Sequence, residues 1–242
     1  MSEKEKVIDD LIMLGRACPE EISDGRQTIC AAGFSPKYGF IRIYPTRHDS
    51  PLKMWNIVKV PVEKPLKPIY DGRKESWKII GSRSDWDRLS EKIEVVGELS
   101  RKDRPHLIRS LVSGCVSSIY DGEKSLGIIK PTEYECYFED QKPKPYTQTT
   151  IDQSFRVKVR EDYPIIPRIR YRCTDCKTKS QHDQQIISWE MFEWFRKEPE
   201  KQEQVWDNLQ MNNPDYEKYF FVGNLYKYPK AYVIISVIRF KK

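Results

Sequence analysis

The chain has 242 residues, with 42 Lys and Arg against 36 Asp and Glu, a formal net charge of +6. Its 6 Trp, 14 Tyr and 9 Phe exclude a disordered polymer, which is aromatic-poor. The longest uncharged apolar run, Ala231 to Ile238, falls far short of the ~20 residues of a membrane helix, so no membrane partner is expected, while the small excess of base permits a polyanionic one.

The charged start, MSEKEKVIDD, lacks the apolar stretch of a secretion signal. A cytoplasmic chain with six reduced cysteines is expected. Lys6 to Leu14 reads as extended, and Cys18 to Gly25 as a polar loop. Arg26 to Gly33 (RQTICAAG) suits a buried strand, and Phe40 to Tyr44 alternates as its hairpin partner. Pro45 and Pro51 are expected to break that ladder. Trp55 to Val62 and Trp77 to Gly81 read as further strands. Trp86, Leu89, Ile93 and Val95 or Val96 fall at helical spacing after the caps Ser84 and Asp85, which predicts a helix. The polar connector Leu99 to Pro105 divides the chain into residues 1–100 and 101–242.

The second part opens with a short periodic segment, His106 to Ser113, which Gly114 ends. Ser125 to Lys130, Thr132 to Phe138, Gln153 to Arg160 and Pro164 to Cys173 read as strands, with a polar loop over 139–150. Gln184 to Trp189 reads as another strand and Glu190 to Lys197 as an amphipathic helix. A polar, partly helical stretch follows around Val205, Trp206 and Leu209. Tyr219 to Val222 and Ala231 to Arg239 predict an antiparallel pair, the latter in a central position as the most hydrophobic element. The fold class expected is mainly β with a few short helices, a β-rich α+β chain. Short strands with Gly and Pro turns suggest two small barrels.

Four segments appear in a fixed order: RQTICAAGFSPKYGFIRIYP (26–45), SLGIIKP (125–131), YRCTDC with His182 and SWE (188–190), and YFFVGNLYKYPKAYVIISV (219–237). In these the chain resembles the bacterial dual OB-fold domain family. The resemblance implies two OB-like barrels in one chain. OB barrels often bind single-stranded nucleic acid, although fold alone does not give function.

Cys173-x2-Cys176-x5-His182 has zinc-ligand spacing, two thiols and an imidazole. Asp183, Glu190, Cys136 and His106 are the candidates for a fourth ligand. The competing readings are a pair of reduced structural thiols, a catalytic three-ligand zinc, and a redox pair; KTKSQHDQQ after the cysteines looks like a loop, not the helix a redox pair wants. Basic residues interleave with aromatics at Arg42 and Tyr44, at Arg168, Arg170 and Arg172 around Tyr171, and at Lys227 with Tyr226 and Tyr228. Arg168, Arg170 and Arg172 project from one strand face, as do Arg156, Lys158 and Arg160. Two such stripes side by side would make a cationic surface for phosphates, with rings to stack bases. The competing reading is a solvated sheet face. No phosphate-binding glycine loop and no nucleophile elbow are present. His48 reads as a loop histidine, and Trp189-Glu190 as part of the helix that plugs the second barrel.

These readings predict a non-catalytic nucleic-acid-binding protein acting through Arg42, Tyr44, Lys158, Arg168, Arg170 and Arg172, with zinc at Cys173, Cys176 and His182. The alternatives are a protein-interaction scaffold and a zinc-dependent enzyme.

Overall fold

The computed structural model describes residues 5–22, 25–65, 71, 73–142, 157–176 and 180–242. The first half is built from strands β1 (Glu5–Arg16), β2 (Glu20–Glu21), β3 (Gln27–Ser35), β4 (Gly39–Thr46), β5 (Asn56–Glu63), β6 (Ser76–Ile79) and β7 (Glu94–Glu98). Five of them close a barrel in the order β1, β3, β4, β6, β5 and back to β1. All these contacts are antiparallel except β4 with β6. Alternation in WNIVKVPV puts Val58, Val60 and Val62 inside, with Ile8, Leu11, Met13, Ile41, Ile43 and Ile79. Gly33 lets β1 and β3 come close at a register shift, since a Cβ there would lie 2.2 Å from the Ile12 carbonyl oxygen.

Two expectations for this half are corrected. Pro45 does not end its strand; it lies within β4 after a cis Tyr44–Pro45 bond. The register shift between Ile29 and Ala31 on β3 falls opposite that stretch, so the missing N–H interrupts no regular rung. The helix expected from Trp86 to Val96 is a 3-10 turn over Trp86–Lys92 followed by β7. Val95 and Val96 are β-branched, and β5 offers them an open edge to pair with.

The second half holds helix α1 (Arg104–Ser110), β8 (Val112–Ser113), α2 (Val116–Asp121), β9 (Leu126–Ile129), β10 (Pro131–Asp140), β11 (Ile165–Cys173), β12 (His182–Gln185), α3 (Trp189–Lys197), α4 (Gln204–Asn208), β13 (Tyr216–Asn224) and β14 (Tyr232–Lys241). One sheet orders β10-β11-β12 and another β14-β13-β9-β8. Only Lys130 separates β9 from β10, so they run on as one long strand. The two sheets meet again at a single parallel bridge, Ile186 with Ile234. The pairing circuit, first strand to second, third, fifth, fourth and back, is therefore the same in both halves. It closes fully in the first and at one bridge in the second. Of the expected strand Gln153 to Arg160, residues 153–156 lie outside the described residues. Residues 157–159 form no strand, and Arg160–Asp162 is a 3-10 turn.

Helix α3 buries Trp189, Met191, Phe192 and Phe195 against Phe138, Tyr163 and Trp206. It plugs the second half, as its amphipathic pattern predicts. β14 ends its sheet but is central in packing: Ser236 Oγ donates to the Leu14 carbonyl of β1 at 2.7 Å. A third apolar cluster joins the halves, with Ile12, Leu14 and Ala32 against Ile128, Tyr219, Phe221 and Ile235. Among the described residues, no helix is long and apolar enough to cross a membrane.

Candidate metal centre and basic–aromatic surface

β11 and β12 are antiparallel neighbours, and Tyr171 pairs with His182 across them. Cys173 ends β11, Cys176 lies in the following turn, and His182 opens β12. The hairpin thus gathers the three residues that the spacing singles out. The fourth is Cys115, at the N-cap of α2. None of Asp183, Glu190, Cys136 and His106 takes this place. Asp183 accepts from the Tyr137 hydroxyl and pairs with Arg168 and Arg170. Glu190 pairs with Arg16 at 3.1 Å. Cys136 lies on β10, its thiol pushed up to about 12 by burial, and His106 is exposed on α1.

The ligand atoms of Cys115, Cys173, Cys176 and His182 all lie within 4.8 Å of one another. The Cys115 and Cys176 sulfurs lie 3.4 and 3.3 Å from His182 Nε2. Zn–S of about 2.3 Å and Zn–N of about 2.0–2.1 Å imply tetrahedral S–N edges of about 3.6 Å, so the cluster is close to metal-holding geometry. The Val116 N–H donates to the Cys173 sulfur, and burial pushes that thiol up to about 12. Burial also lowers His182, favouring the neutral imidazole that can ligate. The Cys3His set could hold a metal ion. Nothing in the local sequence marks Cys115, because its ligand partners follow far downstream.

The other predicted site residues are dispersed. Arg42 is only 4% exposed; its Nη2 donates to the Ser125 carbonyl at 3.0 Å, which fastens the first half to the second. It is therefore an internal tie and not a surface contact. Tyr44 is half-buried beside Glu20, and burial raises its phenol. Lys158 is exposed, its Nζ 5.6 Å from the Tyr163 ring. It does not extend the stripe on β11, whose neighbours are β10 and β12. Arg168, Arg170 and Arg172 do share a face, but β10 places Glu139, Glu135 and Glu133 against them. Asp183 of β12 pairs with the first two from the other side. The stripe carries its own counter-charge.

A second basic and aromatic patch lies at the turn between β13 and β14. The turn is fixed by Leu225 and Ala231 N–H···O bonds and by Asn224 Nδ2 donating to the Pro229 carbonyl. It presents Tyr226 and Tyr228, 58% and 66% exposed. Tyr120 of α2, 39% exposed, sits below Lys230, whose Nζ is 5.6 Å from its ring. The Arg73 guanidinium lies 5.8 Å from the Tyr226 ring, donates to the Asn224 carbonyl and is paired with Asp71, so the charge of the turn is carried by its lysines. Lys227 stands between the two tyrosines.

Residues 118–242 match the model of a domain of unknown function (DUF8757). The chain belongs to the DUF8757 family. Ahead of that domain, residues 7–112 match a second domain of unknown function (DUF8758). The DUF8757 span holds Cys173, Cys176 and His182 but begins after Cys115. No curated protein and no solved structure matches the chain.

Proposed function

We propose that this protein is a non-catalytic binder of single-stranded nucleic acid, built on two OB-like barrels and carrying a structural zinc ion. The observation that carries the reading is the β13–β14 turn, which sets exposed Tyr226 and Tyr228 beside Lys227 and Lys230. Flat rings stack bases regardless of sequence, and cations track phosphates. The shared pairing circuit, closed once and partly open once, supports the OB reading, in which the turn between the last two strands is a ligand-binding loop. Three sulfurs and an imidazole suit zinc, and four protein ligands leave no open position for catalysis.

The test is a fluorescence-anisotropy titration of the full chain with single-stranded DNA, single-stranded RNA and duplex, at low and physiological salt. Single strands bind best and lose affinity steeply as salt rises. Tyr226→Ala with Tyr228→Ala weakens binding by about tenfold or more, at ~1–3 kcal/mol per stacked base. No binding at low salt would overturn the reading. A protein-interaction role rests on a different surface, the exposed Val95 and Val96 of edge strand β7. Partner capture that is insensitive to salt and lost in Val95→Lys would favour it.

A further inference from the structure

We propose that the metal is a staple for the connector between the two domains, with Cys115 as the ligand that closes the site. This rests on the zinc reading and adds what the ion does. Cys115 falls between the two family matches, which end at 112 and resume at 118. The connector therefore supplies one ligand to a hairpin that supplies three.

The surroundings are shaped to hold that junction. β8, just before Cys115, pairs in parallel with β9 at Val112–Ile128 and Ser113–Ile129. The Gly114 carbonyl accepts the Asp175 N–H at 3.0 Å, and a Cβ on Gly114 would lie 1.9 Å from Asp175 Oδ2. A side chain at 114 would have to push the Asp175 carboxylate aside, so glycine eases the close approach of the connector to the turn that carries Cys176. After Cys115 the chain turns directly into α2, with the Cys115 N–H donating to Ser118 Oγ at 3.2 Å. Ile119 of α2 then sits over Gly127 of β9, where a Cβ would meet its Cδ1 at 2.3 Å. An ion bound to Cys115 thus fixes where α2 starts and how it lies on β9. It also closes a long chain loop, which restricts the unfolded chain more than the short hairpin alone would.

α2 carries Tyr120, so the staple also positions one edge of the aromatic patch. The β13–β14 turn has its own hydrogen bonds and does not need the ion.

The experiment uses the full chain. Metal analysis of the wild type is expected to find one zinc per chain. Cobalt substitution is expected to give the tetrahedral spectrum of three thiolates and one imidazole. Cys115→Ser should lower zinc affinity more than tenfold and reduce the thiolate charge-transfer band, while Cys136→Ser leaves both unchanged. Hydrogen exchange should rise across 104–121 in Cys115→Ser and remain unchanged in β3 and β5. If Cys115→Ser does not fold, chelated wild type gives the same comparison. Absence of stoichiometric metal from the wild type would overturn the zinc reading and the staple together. Wild-type metal affinity in Cys115→Ser, or connector exchange indifferent to chelation, would overturn the staple and leave the zinc reading intact.

Discussion

Glu217 is held by cations from two other elements: Arg109 of α1 at 2.5 Å and Lys130, between β9 and β10, at 2.7 Å. Those hydrogen bonds lower its carboxyl from 4.5 to about 2. A carboxylate with a lower pKa folded than unfolded stabilises the fold above its unfolded pKa. That contribution is lost as pH falls toward the folded value. The folded chain should therefore lose stability from about pH 5 down to about pH 2. Glu217→Gln should flatten this part of the acid limb, read as urea midpoints at pH 7 and pH 3. At the same scale, Arg42 shows why a motif can mislead. An Arg beside a Tyr looks like a nucleic-acid contact, yet this Arg is spent on the Ser125 carbonyl inside the molecule.

Among the elements, β10, β11 and β12 explain why the arginine stripe is not a ready anion site. Each exposed pair contributes little, ~0.2–1 kcal/mol, but the pairing of Arg168, Arg170 and Arg172 with Glu139, Glu135 and Glu133 leaves a nearly neutral face. The barrel makes a sharper demand. Gly33→Ala should cost about 1–3 kcal/mol, because the new Cβ meets backbone and no side chain can swing away. Gly97→Ala on edge strand β7 meets only Ile57 Cδ1 at 4.0 Å and should be neutral. Urea denaturation of the two variants checks both.

For the whole molecule, the third apolar cluster joins the two domains through buried side chains of both. Phe221 of β13 is fully buried there and stacks on Phe40 of β4 at 5.9 Å. Phe221→Ala should cost about 3–5 kcal/mol. The loss should register in both halves, because they share this core. Hydrogen exchange read separately over β3–β5 and β11–β13 tests it; a loss confined to the second half would show that the halves unfold independently.

The strands were legible because alternation and turn residues are local. WNIVKVPV, the 26–45 hairpin and the 219–239 hairpin all follow from spacing within a few residues. The same holds for α3, whose aromatic spacing marks one apolar face, and for Cys173, Cys176 and His182, three of the four residues that could hold a metal ion, which sit on one hairpin. From Trp86 to Val96 helical spacing competes with β-branching, and the open edge of β5 decides for a turn and a strand. Cys115 was invisible because its partners lie on distant strands. The burial of Arg42, the acids facing Arg168 to Arg172 and the meeting of Tyr120 with Lys230 are also long-range events. Local pattern determined most of the strands and brought Cys173, Cys176 and His182 onto one hairpin; only the closing of two circuits against one another added Cys115 and decided which charges are neutralised, which are buried and which face solvent.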